Sequence, residues 1–487
     1  MGSQRLSSLE ESLGNAYPHK FEVSMTLAQF HDEFGQLEAG QRSNTLVSVA
    51  GKVMHKRLEP DSTCYVLESV VGKLPAFVDH ARVPKLGAEI ERGDIVGVSG
   101  FASACHGELG ISVEKLCLLA PCLRTLPERE GDSHTEQESW RPGKARDPSA
   151  YVLSDQEERY RNRVLDLIVN PDIKSVFAAR TEAVNYIRTY METSGVTEVN
   201  TGVLEQRSVA NGFKTHHNQL NLDMVLRVSS DQLLQLIVSN FFGVYEIGKQ
   251  FRNEEMSRTH NPEFTTCEMY KAYADYKDLM EMTEKLLSGL VMKITGGYKV
   301  YYHSDGYDSP PVVIDFTPPF RRVEVVKGLE EALGLKFPED LASEQANEFL
   351  RETCSSKGVA CPPPLSTANL LSSLAGHFLE ATSVSPTFIV DYPKRSTPFA
   401  KTHSSTPLLA EHFKLFVSKS QLVSGFTQCR DPAEAQENSE LHTLLEYGLP
   451  PCSGWACGID RLVMLLTDSV DIKEVVLYPA LKPAEDL

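Results

Sequence analysis

The sequence lacks several features that mark special classes of protein. It has no uncharged apolar run near the roughly 18 residues of a membrane span. No two of its ten cysteines have the two-residue gap of a zinc knuckle or redox dithiol, so we expect reduced, mostly structural thiols. Basic residues are fewer than acidic ones, at 48 against 66, which disfavours overall attraction to nucleic acid but leaves one basic face possible.

Targeting and phosphate-loop signals are also missing. The N-terminus has no basic start followed by an apolar stretch, and Glu10 and Glu11 do not suit an organellar transit peptide. We therefore expect a cytoplasmic protein that makes no membrane contact. No glycine-rich loop of the Walker or dinucleotide type occurs, so any nucleotide must be held in another way.

The composition is that of a globular, water-soluble protein, with 41% hydrophobic and 23% charged residues among 487. Between Phe21 and Cys122, short segments of period-two alternation predict about five strands. Such a domain is compatible with an oligonucleotide-binding barrel, and equally with any small β-domain. The predicted strands, preceded by a helix at Thr26–Phe34, are Thr45–Val53, Thr63–Leu67, Ala76–Asp79, Asp94–Gly100 and Gly110–Leu119.

A polar stretch divides the chain. Residues 127–148 are dense in Glu, Ser, Gly, Arg and Pro and show no apolar periodicity, which is typical of a linker. We therefore predict a β-domain at 1–126, a linker at 127–150 and a second domain at 151–487. In the second domain, helical and strand-like segments alternate, and several connections are too short for helical crossovers, so the prediction is an antiparallel-leaning α+β fold.

The segment Tyr245–Tyr276 reads as two strands joined by a turn rich in charge. Arg252 and Glu254 are two positions apart, so they project to the same face of a strand. A guanidinium there can hold a phosphate by two parallel hydrogen bonds. The alternative interpretation is a solvated hairpin with surface ion pairs.

A second segment, Gly454–Ser469, reads as a glycine-bearing turn that leads into an apolar-periodic helix beginning near Asp460. Arg461 then lies in the first turn of that helix. The helix dipole disfavours a cation there, so an anionic ligand would explain it. A salt bridge to Asp460 or a neighbour is the alternative.

These two segments resemble motifs 2 and 3 of the class II aminoacyl-tRNA synthetases, specifically of the lysyl-tRNA synthetases in their eukaryotic cytosolic form. The resemblance covers nearly the whole chain. It implies an N-terminal five-stranded OB-fold β-barrel, a catalytic domain with a central antiparallel sheet flanked by helices, and a homodimer. The matching segments include PHKF (18–21), RYRNRVLDLIVNP (159–171), THHNQL (215–220), VYEIGKQFRNE (244–254) and LEYGLPP (445–451).

The resemblance also implies a reaction and the residues for it. Lysine and ATP would form an enzyme-bound adenylate, and the lysyl group would pass to tRNA. Arg252 would bridge the lysine carboxylate and the α-phosphate, and Arg461 would hold the γ-phosphate. The other implied ATP contacts are Glu254, His260 and Phe264, and the amino-acid pocket comprises Asp231, Glu268, Tyr270, Ser424, Phe426 and Gln428.

Several positions depart from the family pattern. The glycine-rich loop over the amino acid reads Gln206–Ser208, and Asp231 replaces a longer glutamate. Lys414 and Gln421 replace two magnesium-binding glutamates, which argues against magnesium because that ion prefers anionic oxygen. Gln428 replaces the glutamate that would pair with the lysine ammonium, so lysine specificity and turnover are in question.

In the barrel, the resemblance implies anticodon recognition. Bases would stack on aromatic rings beside a cationic strand face. The residues assigned to this surface are Lys52, Arg57, Tyr65 and Glu108.

Three functions fit the sequence. The first is an active lysine–tRNA ligase. The second is a pseudo-synthetase that binds nucleotide, tRNA or a synthetase partner without charging tRNA. The third is a ligase that acts on a different amino acid or amine.

Overall fold

The chain forms two compact units, residues 1–134 and 135–487. The computed structural model describes residues 2–13, 15–69, 72–81, 89–105, 107–128, 140–206, 210–431 and 445–483. Residues 129–139 of the predicted linker, and Arg207 and Ser208 of the predicted substrate loop, lie outside these ranges. All ten cysteines are free thiols.

The first unit is a closed five-stranded barrel with strand order β1-β2-β3-β5-β4. Inward-facing apolar residues of alternating strand positions form its core with helix α2. Thr26 caps α2 through a capping box with Gln29. At Gly100 on β4, an added Cβ would lie 2.1 Å from the carbonyl oxygen of Ser112 on the neighbouring strand β5. The close approach of these two strands therefore requires glycine at this position. The elements are α1 Gly2–Leu13, α2 Leu27–Phe34, β1 Arg42–Leu58, β2 Ser62–Ser69, β3 Gly72–Asp79, β4 Ile95–Cys105 and β5 Glu108–Ala120.

The second unit is built on an eight-stranded sheet of order β14-β15-β16-β17-β18-β11-β10-β6. Neighbouring strands pair antiparallel except at the two edges, where β14–β15 and β10–β6 are parallel. The strands of this unit, which also include two smaller sheets, are β6 Thr197–Glu198, β7 Leu204–Glu205, β8 Lys214–His217, β9 Leu222–Leu226, β10 Gly243–Phe251, β11 Glu263–Ala272, β12 Lys299–Tyr302, β13 Val312–Asp315, β14 Arg321–Glu324, β15 Thr387–Val390, β16 His412–Val417, β17 Ser420–Thr427 and β18 Cys452–Gly458.

Helices cover one face of the large sheet. Apolar residues of α5, α7 and α11 pack on side chains such as Cys267, Met269 and Trp455. The other face of the same strands carries Thr266 and Glu268, because successive side chains point to opposite faces. The helices are α3 Gln156–Arg161, α4 Arg163–Val169, α5 Pro171–Thr193, α6 Asp231–Ile237, α7 Tyr276–Thr295, α8 Val325–Leu333, α9 Glu344–Ser356, α10 Thr367–Phe378 and α11 Ile459–Leu466.

Three features differ from the sequence prediction. The apolar spacing of Gln156–Val169 predicts one helix, whereas the structure has two helices with a break at Asn162. The glycine-bearing turn predicted before Asp460 is wrong, because residues 452–458 form a central strand of the large sheet. Helices α1, α8 and α9 were not predicted. None of the helices in the described ranges is long and apolar enough to span a membrane.

Candidate active site

A cleft with about 870 Å³ of open space, solvent at its mouth included, lies on the face of the large sheet opposite the core helices. Strands β11, β17 and β18 supply its floor. In their register Ser424, Ala456 and Glu268 form one row across the three strands. Antiparallel pairing of β11 and β17 with β18 thus brings together residues from distant parts of the chain.

Arg252 and Arg461 both line this cleft. Arg461 donates from Nη1 to the Gln421 carbonyl oxygen at 2.8 Å and from Nη2 to Nε2 of His260 at 2.9 Å. Burial and the positive charge of Arg252 lower the pKa of Arg461. Two guanidinium groups that repel each other across one cleft form a site for an anion.

His260 is held in its neutral form. Burial and the charge of Arg461 lower the pKa of this imidazole. A guanidinium only donates hydrogen bonds, so Nε2 accepts and the proton sits on Nδ1, 2.8 Å from the Ser257 hydroxyl.

An aromatic platform lies beside Arg252. Its guanidinium carbon is 5.0 Å from the ring centroid of Phe264, which also lines the cleft. Glu254 lies at the same end and accepts a hydrogen bond from the Asn211 amide at 3.1 Å. Four of the residues predicted to contact ATP therefore lie together in this cleft: Arg252, Glu254, Phe264 and Arg461.

Two carboxyl groups lie at the start of helix α6. Oε2 of Glu268 accepts from the Ser229 hydroxyl at 2.8 Å and from the Ser230 hydroxyl and backbone N–H, both at 2.7 Å. Oε1 accepts from the Thr266 hydroxyl at 3.2 Å. Burial, together with the nearby Glu268, raises the pKa of Asp231 to about 7, and the Tyr270 hydroxyl partly offsets this.

Tyr270, Phe426 and Phe399 form an aromatic cluster, and none of the three is among the residues that line the cleft. The rings of Tyr270 and Phe426 meet edge to face with centroids 6.2 Å apart, and Phe399 lies 5.0 Å from Phe426. An added Cβ on Gly454 would lie 2.8 Å from both the Phe426 and Tyr270 rings, so glycine there allows the rings to meet.

Gln428 is 1% exposed. Its amide nitrogen donates to the carbonyl oxygens of Phe399 at 3.2 Å and Cys429 at 3.0 Å. Its Oε1 has no hydrogen-bond partner among the described residues. The amide therefore leaves one buried acceptor free for a ligand.

Of the two residues at the magnesium-binding positions implied by the resemblance, Gln421 lines the cleft and Lys414 does not. Its ammonium lies 4.6 Å from the Tyr392 ring centroid and 4.0 Å from Glu380. On the same strand, buried His412 contacts the Ser424 hydroxyl at 3.0 Å, and burial with the charge of Lys414 lowers its pKa to about 3. Across the described ranges, no three His, Cys, Asp or Glu side chains form a group that would hold a metal ion. Lys414 and Gln421 offer no carboxylate oxygen, so these two positions do not fit a magnesium ion.

The barrel separates the residues assigned to its surface. Arg57 and Glu108 form a half-exposed ion pair at 2.8 Å, whereas Lys52 donates to the Gly93 carbonyl oxygen. Tyr65 is 0% exposed in the barrel core, so its ring is not available to stack on a base. In the register of the barrel, Arg57 pairs with Cys64 and Cys64 pairs with the half-buried Phe77.

Comparisons with known proteins agree with this architecture. The family described as tRNA synthetases class II (D, K and N) matches residues 155–482. A lysine–tRNA ligase of Cladosporium cladosporioides is 36% identical over 99% of this chain and 84% of its own length. A "probable lysine–tRNA ligase, cytoplasmic" of Encephalitozoon cuniculi is 35% identical over 99% and 96%, and a lysine–tRNA ligase of Nostoc punctiforme is 33% identical over 99% and 87%.

The chain belongs to the lysine–tRNA ligase family of class II synthetases. Sequence reasoning did not find the serine pair that holds Glu268, nor the contacts of Arg180 with Asp460 and Thr265. Nothing in a single sequence shows which hydroxyl or guanidinium faces which carboxylate.

Proposed function

We propose that this protein activates lysine with ATP and transfers it to lysine-accepting tRNA in the cytoplasm, as a homodimer. One observation carries the proposal, the convergence of Arg252 and Arg461 on a cleft floored by antiparallel strands. Phe264 lies beside Arg252 in this cleft, and Glu268, which also lines the cleft, has Asp231 close to it.

Activation requires positioning and charge rather than a protein nucleophile. The lysine carboxylate attacks the α-phosphate of ATP, the bond to the β-phosphate breaks, and lysyl adenylate and pyrophosphate form. Arg252 would bridge the carboxylate and the α-phosphate, Arg461 would hold the γ-phosphate, and Phe264 would stack on adenine. Glu254 and neutral His260 would contact the nucleotide. A hydroxyl of the terminal tRNA ribose then attacks the carbonyl carbon, and AMP leaves.

On the amino-acid side, Asp231 and Glu268 would receive an amino group of lysine. Ser424, Tyr270, Phe426 and Gln428 would line the rest of the pocket. Because Gln428 is neutral, the carboxyl groups at the start of α6 supply the negative charge here. We assign no step to magnesium.

We propose that the barrel is an OB-fold that binds the anticodon. The strand order 1-2-3-5-4 and its closure support this assignment. Arg57 and Glu108 would contact a base, and Lys52 would add positive charge. Phe77 replaces Tyr65 as the stacking ring, because Phe77 lies in the same row across the strands as Arg57.

Pyrophosphate exchange with each amino acid in turn tests the activation step. We expect exchange with lysine, and a loss of about 100-fold or more in Arg461→Ala because the charge that binds the phosphates is removed. Arg188→Met is the matched control, since Arg188 pairs with Glu198 away from the cleft. Exchange with another amino acid would make the protein a different ligase, and silence with retained tRNA binding would make it a pseudo-synthetase.

A further inference from the structure

A buried polar node lies behind Arg461, on three elements of the second unit. Nη1 of Arg180, on helix α5, donates to Oδ1 of Asp460 at 2.5 Å. Nη2 of the same guanidinium donates to the Thr265 hydroxyl at 2.9 Å. The Thr265 backbone N–H donates in turn to Oδ2 of Asp460 at 2.7 Å. Arg180 and Asp460 therefore each have two partners in this node, and Thr265 takes part through both its hydroxyl and its backbone N–H.

The node fixes the two sides of the cleft to each other. Asp460 directly precedes Arg461 in the first turn of α11, and Thr265 directly follows Phe264 on β11. The carboxylate is 2% exposed and the arginine side chain is 20% exposed. A carboxylate near a helix N-terminus also complements the helix dipole, so the pair holds the start of α11 firmly.

The guanidinium of Arg461 needs such support. Its contacts in the cleft are with the carbonyl oxygens of Thr259 and Gln421 and with His260. Burial first, and then the positive charge of Arg252 on the same cleft, disfavour the charged guanidinium of Arg461 and lower its pKa. Fixing the backbone at Asp460 counters the repulsion between the two guanidinium groups before an anion arrives.

We propose that Arg180 is a positioning residue for ATP, which acts through Asp460 and Thr265 to hold the Arg461 guanidinium opposite Arg252 and the Phe264 ring. This inference rests on the proposed function of the cleft. Arg180 is not among the residues that line the cleft, whereas Thr265, Asp460 and Arg461 are. Its effect is therefore on ATP and not on the amino acid.

A double-mutant cycle with the full chain tests this. ATP affinity is measured by calorimetry without amino acid, and kcat/KM for ATP by pyrophosphate exchange, in wild type, Arg180→Met, Arg461→Ala and the double variant. We expect Arg180→Met to lower the affinity for ATP about tenfold in the otherwise wild-type protein. In the Arg461→Ala background the same substitution should lower it about twofold or less. The KM for the amino acid should not change.

Two further variants separate positioning from folding. Arg188→Met removes an arginine–carboxylate pair from the same helix and should leave ATP binding unchanged. Arg180→Met with Asp460→Asn removes the uncompensated buried charge, so stability should recover while ATP binding stays weak. Equal losses in both backgrounds, or recovery of ATP binding with stability, would overturn the proposal. Absence of exchange in wild type would defeat the proposed function alone, because calorimetry still tests the node.

Discussion

Asp231 gives the amino-acid pocket a pH dependence. Its pKa is raised to about 7 by burial and by Glu268, so below that pH the folded protein holds a proton on this carboxyl. An ammonium group favours the ionised form, and its binding must release that proton. Apparent affinity for lysine should therefore fall about tenfold per pH unit below pH 7 and level off above it.

Calorimetry with lysine in buffers of different ionisation enthalpy, at pH 6 and pH 8, measures this proton release. Asp231→Asn cannot release a proton and should give a flat profile. Equal proton release by the variant and the wild type at pH 6 would rule out Asp231 as the source.

Substitution of Gln428 tests whether a carboxylate at this position can pair with the ammonium group of lysine. Gln428→Glu replaces the amide nitrogen that faces two carbonyl oxygens by a carboxylate oxygen, which should destabilise the free protein by about 2–4 kcal/mol. Lysine should restore much of that loss, because its ammonium pairs with the new carboxylate. Thermal unfolding with and without lysine measures both effects.

Gln428→Ala is the matched control for that experiment. It removes the same two hydrogen bonds without adding charge, so lysine should stabilise it no more than it stabilises the wild type. A similar rescue of both variants would mean that lysine does not reach residue 428.

At the scale of elements, the alternation of apolar and polar residues predicts strands well where a strand has one polar and one apolar face. The predicted hairpin His412–Ser418 and Gln421–Gln428 agrees with β16 and β17 to within one residue at each end. Strand β18 was missed because its glycines suggested a turn. Gly454 is there to make room for two rings, which only the folded sheet reveals.

Helix α7 offers an element-scale prediction, because it packs under the sheet and begins with a capping box. The Asp275 carboxylate accepts from the backbone N–H groups of Lys277 and Asp278. Asp275→Ala should lower the free energy of unfolding by about 1 kcal/mol, whereas Asp275→Asn should lower it by only a few tenths. Urea unfolding of the second unit measures the difference, and an equal loss in both variants would mean that the cap is not the cause.

At the scale of the whole molecule, the division into two units was visible in the sequence as a polar stretch, while the assembly of the site was not. Arg252 and Arg461 are two hundred residues apart, and no periodicity predicts that they share a cleft. Family resemblance supplied that step. The serine partners of Glu268 appear only in the folded structure, because Ser229 and Ser230 lie almost forty residues before Glu268 in the sequence.

The two units have separate hydrophobic cores, so damage to one should leave the other intact. Asp94 is the test position, because it is 0% exposed in the barrel and accepts from two nitrogens of Arg5. Asp94→Ala leaves that arginine without its buried partner and should destabilise the barrel by about 3 kcal/mol. Glu91→Ala removes the exposed partner of the same arginine and should change stability by less than about 1 kcal/mol.

Spectroscopy can follow the units separately, because both tryptophans, Trp140 and Trp455, belong to the second one. In Asp94→Ala, circular dichroism should detect an unfolding transition at lower urea, while the tryptophan transition stays where it is in the wild type. The rate of tRNA charging should fall when the barrel unfolds. Pyrophosphate exchange should persist, because Arg252 and Arg461 both lie in the second unit. A tryptophan transition that moves with the circular dichroism would mean that the units fold as one, and exchange would then fall as well.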